Sequence, residues 1–566
     1  MKPLVLARNS KSDYRMIVSK SCSSSEDHGA NELRHYLSLV SGARFDVAND
    51  EVQQADKEIL IGKSKHLDHL NLDIDYSRLG QEGFIVKTYR DYLVIAGGRL
   101  RGTMYGVYTF LQKYVGCKWL SSQVSRIPRL NEIILGQIDD IEVPHLEYRD
   151  VHYTDAFDAD WSARNKVNGA FSKLDRARGG KVSYFPFVHS FDKLIPSELY
   201  EKHPEYFPLI EGKRLSGYVQ RCLSNPEVVA FAKQRVAGWI QEHPEAKIIS
   251  VSQNDTGNWC KCPDCSSLDD SEGSPSASVL SFVNQIAEEI ERHHPDKIID
   301  TLAYQYSRKP PRTIRPRHNV IVRLCTIECC FAHPLDSCDS EQNKKFTQDI
   351  EAWSRIAPKL YIWDYVTNFA NYVMPFPNLR VLGPNIKFFM EHNVKGIFEE
   401  GNYSAGGKGE LAELRAYILA KLLWNPDSDV DITLNEFLDG YYQNASKPIK
   451  EYMDLLHDQV ERHNLHVSIY SPSTSEYLSE DIVSKADQLL AEGERMAEGS
   501  ESRMRARLAH LPIQYVMIER LYVKGERRRA LLTDFLNTIE KAGITNISEG
   551  MTVEQYKIRL EHQEKT

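Results

Sequence analysis

The spacing of hydrophobic and polar positions changes twice along the chain. Up to about residue 140, short apolar runs (KEILIG, GFIVKTY and DYLVIAGG) are separated by polar or glycine turns. Such runs predict strands. Among them, ANELRHYLSLVSG spaces Leu33, Tyr36 and Leu37 along one helical face and closes on Gly42. A second stretch, RGTMYGVYTFLQKYVGCKWL, predicts an amphipathic helix opening at Arg101-Gly102. The reading is a small α/β domain over residues 1–140. It carries no Walker loop, and no G-x-G-x-x-G follows a strand.

Over residues 141–430 apolar runs alternate with helical ones. HLEYRDVHY, KVSYFPFVHSF, KIISVSQND, KIIDTLAYQY, NVIVRLCTIECC, KLYIWDYV and VKGIFEEGNY read as strands. Between them, PEVVAFAKQRVAGWIQEH and SVLSFVNQIAEEIERHH have a 3.6-residue period, the latter with Val279, Val283, Ile286 and Ile290 on one face. Strands alternating with helices of 10–15 residues imply parallel βαβ units, and seven or eight repeats imply a (β/α)8 barrel. An open doubly wound sheet is the alternative, but its phosphate loop is missing. Residues 431–566 return to helical spacing throughout, in TLNEFLDGYYQ, PIKEYMDLLHDQVERHN, EDIVSKADQLLAEGERM and RARLAHLPIQYVMIERLYV. The expected fold class is therefore α/β: a central TIM-like barrel, a small N-terminal α/β domain and a C-terminal helical domain.

Composition narrows the function. The 566 residues carry a formal net charge of −9 and no long basic block, which argues against a nucleic-acid partner. No apolar run approaches the roughly 18 residues of a membrane span. The N-terminal stretch lacks a small-residue cleavage site, so the protein is either cytoplasmic or has lost a signal peptide. Ten cysteines are too few for a disulfide scaffold in a chain of this length.

In a (β/α)8 barrel the chemistry sits at the C-terminal strand ends. Here those ends are polar and aromatic: His189, Asn254-Asp255, Tyr304 and Tyr306, Glu328, Trp363-Asp364-Tyr365, and Glu399-Glu400 with Asn402. Several acids ringed by aromatics suit a carbohydrate, whose ring faces stack on aromatic side chains. Glu328, between Ile327 and Cys329, is expected to be buried, which would raise its pKa as a general acid requires; a structural pair with Arg323 is the alternative. Adjacent strand residues face opposite ways, so one of Glu399 and Glu400 points into the site. This reading assigns Glu399 to catalysis and Glu400 to substrate binding. Tyr304 and Tyr306 are expected to share a face and floor a subsite, and Asp364 to accept sugar hydroxyls beside Trp363 and Tyr365. His189 and Asn402 complete the expected binding residues.

Cys260, Cys262 and Cys265 form C-x-C-x2-C directly after Asp255. A structural zinc clip, one disulfide or reduced thiols are the open readings. Zinc would need a fourth ligand, with Cys222 or a His as candidates. No cofactor is expected for catalysis.

The strand ends SVSQND, RLCTIECCFAHPL, YIWDYVTNF and FEEGNY, in that order, resemble glycoside hydrolase family 163, common in Bacteroides-type gut bacteria. The first 140 residues resemble the small domain preceding the barrel in hexosaminidases and α-glucuronidases. The resemblance implies a retaining endo-β-N-acetylglucosaminidase that cuts the GlcNAc-β1,4-GlcNAc core of complex N-glycans on glycoproteins. It also implies a periplasmic or cell-surface location. Catalysis would be substrate-assisted, the 2-acetamido oxygen attacking the anomeric carbon in place of an enzyme nucleophile. Asn254 would then hold the acetamide with Asp255 as the acid, or Asp255 would polarise the acetamide while a Glu supplies the proton. Two other functions compete: an exo-acting β-N-acetylhexosaminidase or α-glucuronidase-like hydrolase, and a non-catalytic glycan-binding protein.

Overall fold

The N-terminal strands are apolar on both faces and so need cover on each side. In the computed structural model, which describes residues 3–565, six strands form one sheet: β1 (Arg15–Val18), β2 (Val47–Asn49), β3 (Glu58–Ile61), β4 (Phe84–Tyr89), β5 (Tyr92–Gly97) and β6 (Asp139–Glu142). Their order is β6-β4-β5-β3-β1-β2, with β4 antiparallel to both its neighbours. Helix α1 (Ser24–Ser41) begins at a capping box of Ser23 and Glu26 and ends where Gly42 takes φ +70°. Helix α2 (Gly102–Phe110) departs from the expected amphipathic pattern. All nine of its residues are buried, and it runs on into a π turn at Leu111–Val115. The cause is its position: the sheet and α1 pack against it, and Trp424 adds an edge-on contact to Tyr105.

A buried ion cluster ties this region to the next. Arg149, fully buried, donates through Nη1 and Nη2 to the two oxygens of Glu82 at 2.9 Å each. Arg101 donates to the same carboxylate at 2.7 Å. Burial opposes the charge on Glu82, but the two guanidiniums win and pull its pKa down to about 2.

The central sheet is all-parallel: β7 (Tyr148–His152), β8 (Ile248–Ser250), β9 (Ile298–Ala303), β10 (Val320–Cys325), β11 (Leu360–Tyr365) and β12 (Val394–Glu400). The order β7-β12-β11-β10-β9-β8 brings the first strand beside the last, and the sheet curls into a half-barrel. Six strands pair regularly where the sequence pattern predicts seven or eight. From β7 to β8 the chain passes through irregular segments joined by single bonds: Asn168 N–H to Arg149 O, Val182 N–H to Asn168 O, and a parallel bridge from Tyr184 to Ile248. The run KVSYFPFVHSF fails as a strand in part because Pro186 has no N–H for a ladder. Helices α3 (Pro226–Glu242), α4 (Pro263–Glu272), α5 (Ser276–His293), α6 (Glu341–Ile356), α7 (Leu379–Glu391) and α8 (Ala412–Trp424) alternate with the strands, and α5, α7 and α8 pack directly on them.

Five helices follow: α9 (Val430–Tyr441), α10 (Ser446–Arg462), α11 (Glu480–Met496), α12 (Gly499–Glu519) and α13 (Gly525–Ala542). Their core is continuous with that of the central sheet. The region is not purely helical. A hairpin of β13 (Asn546–Ser548) and β14 (Met551–Thr552) precedes α14 (Val553–Lys565). This hairpin and the loop between α10 and α11 return to the C-terminal ends of the central strands. Phe369 N–H bonds Ile469 O at 2.8 Å, Tyr372 N–H bonds Ile547 O at 2.7 Å, and Glu549 N–H bonds Phe369 O at 2.9 Å.

Candidate active site

Side chains alternate across a strand, so the last residues of β11 and β12 divide between two faces. Trp363 and Tyr365, with Phe398 and Glu400, point into a cavity of about 290 Å3 above the strand ends. The register sets His152 and Tyr365 on either side of Glu400, and His152 also lines the cavity. His189, Asp255 and Tyr304 line it as well. The loop after α10 adds Ile469 and Tyr470, and the C-terminal hairpin adds Glu549.

Three carboxylates therefore face one aromatic-lined space. Glu400 is buried and accepts a hydrogen bond from Trp363 Nε1 at 2.8 Å. Burial, reinforced by the charges of Glu549 and Asp255, pushes its pKa up to about 8 against the Trp363 bond. At neutral pH it is a carboxylic acid with a proton to give. Asp255, by contrast, is exposed to the cavity and accepts the Tyr304 hydroxyl at 2.9 Å, while Gln305 donates to that same hydroxyl. His189 Nδ1 donates to Gln253 O at 2.8 Å, which leaves Nε2 as an acceptor in the neutral ring. His152 is stacked on Tyr403, its pKa driven down to about 3 by burial, and its Nδ1 has no partner among the described residues. Glu549 accepts the Tyr403 hydroxyl at 3.0 Å.

Of the residues singled out from sequence, His189, Asp255, Tyr304, Trp363, Tyr365 and Glu400 meet at this cavity. The others do not, and each has a physical reason. Glu399 lies on the outer face of β12, fully buried, with both carboxylate oxygens unpartnered among the described residues; burial and then Asp364 hold its pKa well above the carboxylate range. Of the two adjacent acids it is therefore Glu400, not Glu399, that faces the cavity, as the register of β12 against His152 and Tyr365 sets it. Asp364 shares that outer face and is occupied by Thr326 Oγ1 at 2.5 Å and Tyr365 N–H at 3.0 Å. Glu328 is not buried: β10 ends at Cys325, and the side chain turns outward to an ion pair with Arg308, not Arg323. Asn254 is fully buried and spent, its Oδ1 accepting Asp192 N–H and its Nδ2 donating to Val219 O. Tyr306 leaves the face of Tyr304 because β9 stops at Ala303 and Gln305 takes φ +48°; its ring stacks on Trp259, centroids 4.7 Å apart. Asn402 holds its own loop, donating to Lys408 O at 2.8 Å and accepting from Ser404.

The sequence reading missed His152, Phe171, Phe187, Phe398, Tyr403, Tyr470 and Glu549. The first could have been found, since it stands next to last in the strand-like run HLEYRDVHY. Nothing local marks Tyr470 or Glu549, which reach the cavity only through long-range packing.

The three cysteines of the C-x-C-x2-C run converge with Cys222, their Sγ atoms all within 4.8 Å of one another and Cys222 to Cys262 at 3.6 Å. Leu209 N–H and Cys262 N–H point at Cys260 Sγ, at 3.3 and 3.5 Å. All four thiols are buried and lie away from the cavity, at the start of α4.

Residues 119–454, more than half of the chain, match the model of a family described as Domain of unknown function (DUF4838). The chain belongs to this family. Ahead of the DUF4838 region, residues 5–110 match the model of the Glycosyl hydrolase family 67 N-terminus. No curated protein matches the chain. Among solved structures, a family GH115 4-O-methyl-α-glucuronidase with specificity for decorated arabinogalactans superposes with a TM-score of 0.61 at 12% identity, covering 98% of this chain and 79% of that one. A family 89 glycoside hydrolase from Clostridium perfringens, in complex with 2-acetamido-1,2-dideoxynojirmycin, gives 0.53 at 13% identity, covering 91% of this chain and 65% of that one. At such identities the likeness is one of fold: this DUF4838 chain has the architecture of glycoside hydrolase structures.

Proposed function

We propose that the protein is a glycoside hydrolase with Glu400 as its general acid. The observation that carries this reading is a buried carboxyl group, protonated at neutral pH, facing an aromatic-lined cavity and a second carboxylate, Asp255. A glycan-binding protein has no need of such an acid, which costs stability to bury. The Glycosyl hydrolase family 67 N-terminus match and the shared fold support the same class. The six-stranded sheet with its two irregular crossings is then a degenerate (β/α)8 barrel, flanked by an α/β domain over 1–140 and a helical domain over 431–566.

Within that class we favour a neutral N-acetylated sugar, and specifically endo-β-N-acetylglucosaminidase action on complex N-glycans in the manner of family 163. No Lys or Arg lines the cavity among the described residues, and its charged groups are acids. A uronic acid would meet like charge there, which argues against the α-glucuronidase reading. About 290 Å3 is near the lower end for small-molecule sites and suits one sugar ring at the reacting position, with flanking sugars along the rim.

In this mechanism the sugar's acetamide oxygen attacks the anomeric carbon while Glu400 passes its proton to the leaving oxygen. Asp255, held by Tyr304, accepts the acetamide N–H and stabilises the charge that develops on it. Glu400, now ionised, takes a proton from the incoming water, which opens the cyclic intermediate and regenerates the acid. Trp363, Tyr365 and Phe398 offer faces for the ring. The four cysteines at the start of α4 are read as a structural zinc site, with the N–H groups of Leu209 and Cys262 offsetting the excess negative charge. Such a protein would act in the periplasm or at the cell surface, where glycoproteins are met.

The test is incubation with a complex N-glycoprotein, with mass analysis of both products. The expected result is a released glycan and a protein retaining one GlcNAc. An uncut GlcNAc-GlcNAc core, with release of single terminal GlcNAc instead, would overturn endo action and favour an exo-acting hexosaminidase on the same site.

A further inference from the structure

A second group of metal-ligating side chains lies apart from the four cysteines. Cys330, His333 and Cys338 stand on the loop after β10, and His466 stands on the loop after α10, more than a hundred residues away. One donor atom from each lies within 4.8 Å of every other. We propose that these four side chains form a structural zinc site that pins the α10–α11 loop to the strand-end loop beside the cavity.

The distances fit tetrahedral coordination. Zn–S bonds of ~2.3 Å and Zn–N bonds of ~2.0–2.1 Å at the tetrahedral angle imply a sulfur–nitrogen separation of about 3.6 Å. Cys330 Sγ lies 3.5 Å from His333 Nδ1, and Cys338 Sγ lies 3.7 Å from His466 Nδ1. One of the two histidines, His466, also has the outer partner a metal-bound histidine uses, while His333 Nε2 has none among the described residues. Asp339 Oδ1 is 3.2 Å from His466 Nε2, and Asn464 donates to Oδ2 of the same carboxylate at 3.1 Å. With Nε2–H given to Asp339, the free lone pair of His466 is on Nδ1, facing Cys338. Ala332 N–H points at Cys330 Sγ at 3.5 Å. Two thiolates and two neutral imidazoles balance a divalent cation, so no net charge would be buried, and binding releases two thiol protons to solvent. A Cys2His2 set of this geometry selects zinc over the hard cations.

The site has a structural consequence. Phe331 N–H bonds Val467 O at 2.8 Å, and Ile469 and Tyr470, which line the cavity, follow His466 by three and four residues. A metal here would fix one wall of the substrate cavity.

The experiment is metal analysis of the full chain purified from zinc-supplemented cells, beside Cys338→Ser and His466→Gln. Each variant is expected to hold one zinc per chain fewer than the unaltered protein, while Cys222→Ser keeps this ion whatever the four-cysteine cluster holds. His466 is partly exposed on a loop, so His466→Gln keeps the test valid if Cys338→Ser fails to fold. Cobalt loading of Cys222→Ser is expected to give a tetrahedral spectrum with thiolate charge transfer that His466→Gln alters. Hydrogen exchange is expected to quicken over residues 465–471 when the ion is removed. Unchanged zinc content in both variants overturns the proposal, as does a Cys330–Cys338 disulfide in non-reduced peptide maps.

Discussion

Replacing Glu400 by Gln separates catalysis from stability. The amide keeps an oxygen for the Trp363 N–H and nearly the same volume, but it has no proton to give. Loss of a general acid costs about 10²- to 10⁴-fold in rate, or ~3–5 kcal/mol of barrier. That loss should appear with an alkyl or sugar leaving group and largely vanish with 4-nitrophenol, which leaves without help. Stability should move the other way. Glu400 has an ordinary value of 4.5 and a folded value of about 8, so between them the folded state binds more protons than the unfolded one, and stability falls as pH rises through that window. Each pH unit above 4.5 removes about 1.4 kcal/mol, on the order of 3 kcal/mol by pH 7. Glu400→Gln escapes this cost. Its urea midpoint should match the unaltered protein near pH 4 and exceed it increasingly from pH 5 to 8. The paired assay is turnover of the two substrates together with urea melts across that range. Near-normal turnover of the sugar-leaving substrate, or parallel stability curves, would refute the assignment. Glu399→Gln and Glu328→Gln should leave the leaving-group dependence unchanged, because neither side chain reaches the cavity.

Tyr304→Phe removes the hydroxyl that Asp255 accepts at 2.9 Å; a hydrogen bond to a charged group is worth ~1.5–3 kcal/mol, so kcat/KM should fall by roughly 10- to 150-fold with little change in urea midpoint. Glu82→Ala strands two buried guanidiniums and should cost ~3–5 kcal/mol in urea unfolding. In the unaltered protein Glu82 adds stability that is fully present above its ordinary value of 4.5 and is lost as pH falls toward 2, so an acid melt should show a transition in that window that Glu82→Ala lacks.

Much of this molecule can be read from periodicity. Apolar runs alternating with helical ones give the parallel order of β8 to β12, because strands buried on both faces need helical crossovers. Polar and aromatic strand ends mark which rim holds the site, and Asp255, Tyr304, Trp363, Tyr365 and His189 follow from that alone. The period-2 rule also requires that Glu399 and Glu400 part company, but not which turns inward; the register of β12 against His152 and Tyr365 decides that. Asn254 looks like a substrate ligand in sequence. Only its two backbone partners, from segments far away in the chain, reveal it as a brace. Glu328 looks buried because its neighbours are apolar, yet the strand ends three residues earlier and frees it to turn outward. The four thiols near α4 are half legible: short spacing nominates three and leaves Cys222 one candidate among several for the fourth, whereas only packing brings Cys330, His333, Cys338 and His466 together. What the sequence by itself determined is each residue's local period and the rim on which its strand ends. Tertiary structure alone decided which of the two adjacent acids faces the cavity and what lies against it, because burial and the charges of Asp255 and Glu549, which raise the pKa of Glu400, come from segments distant in the chain.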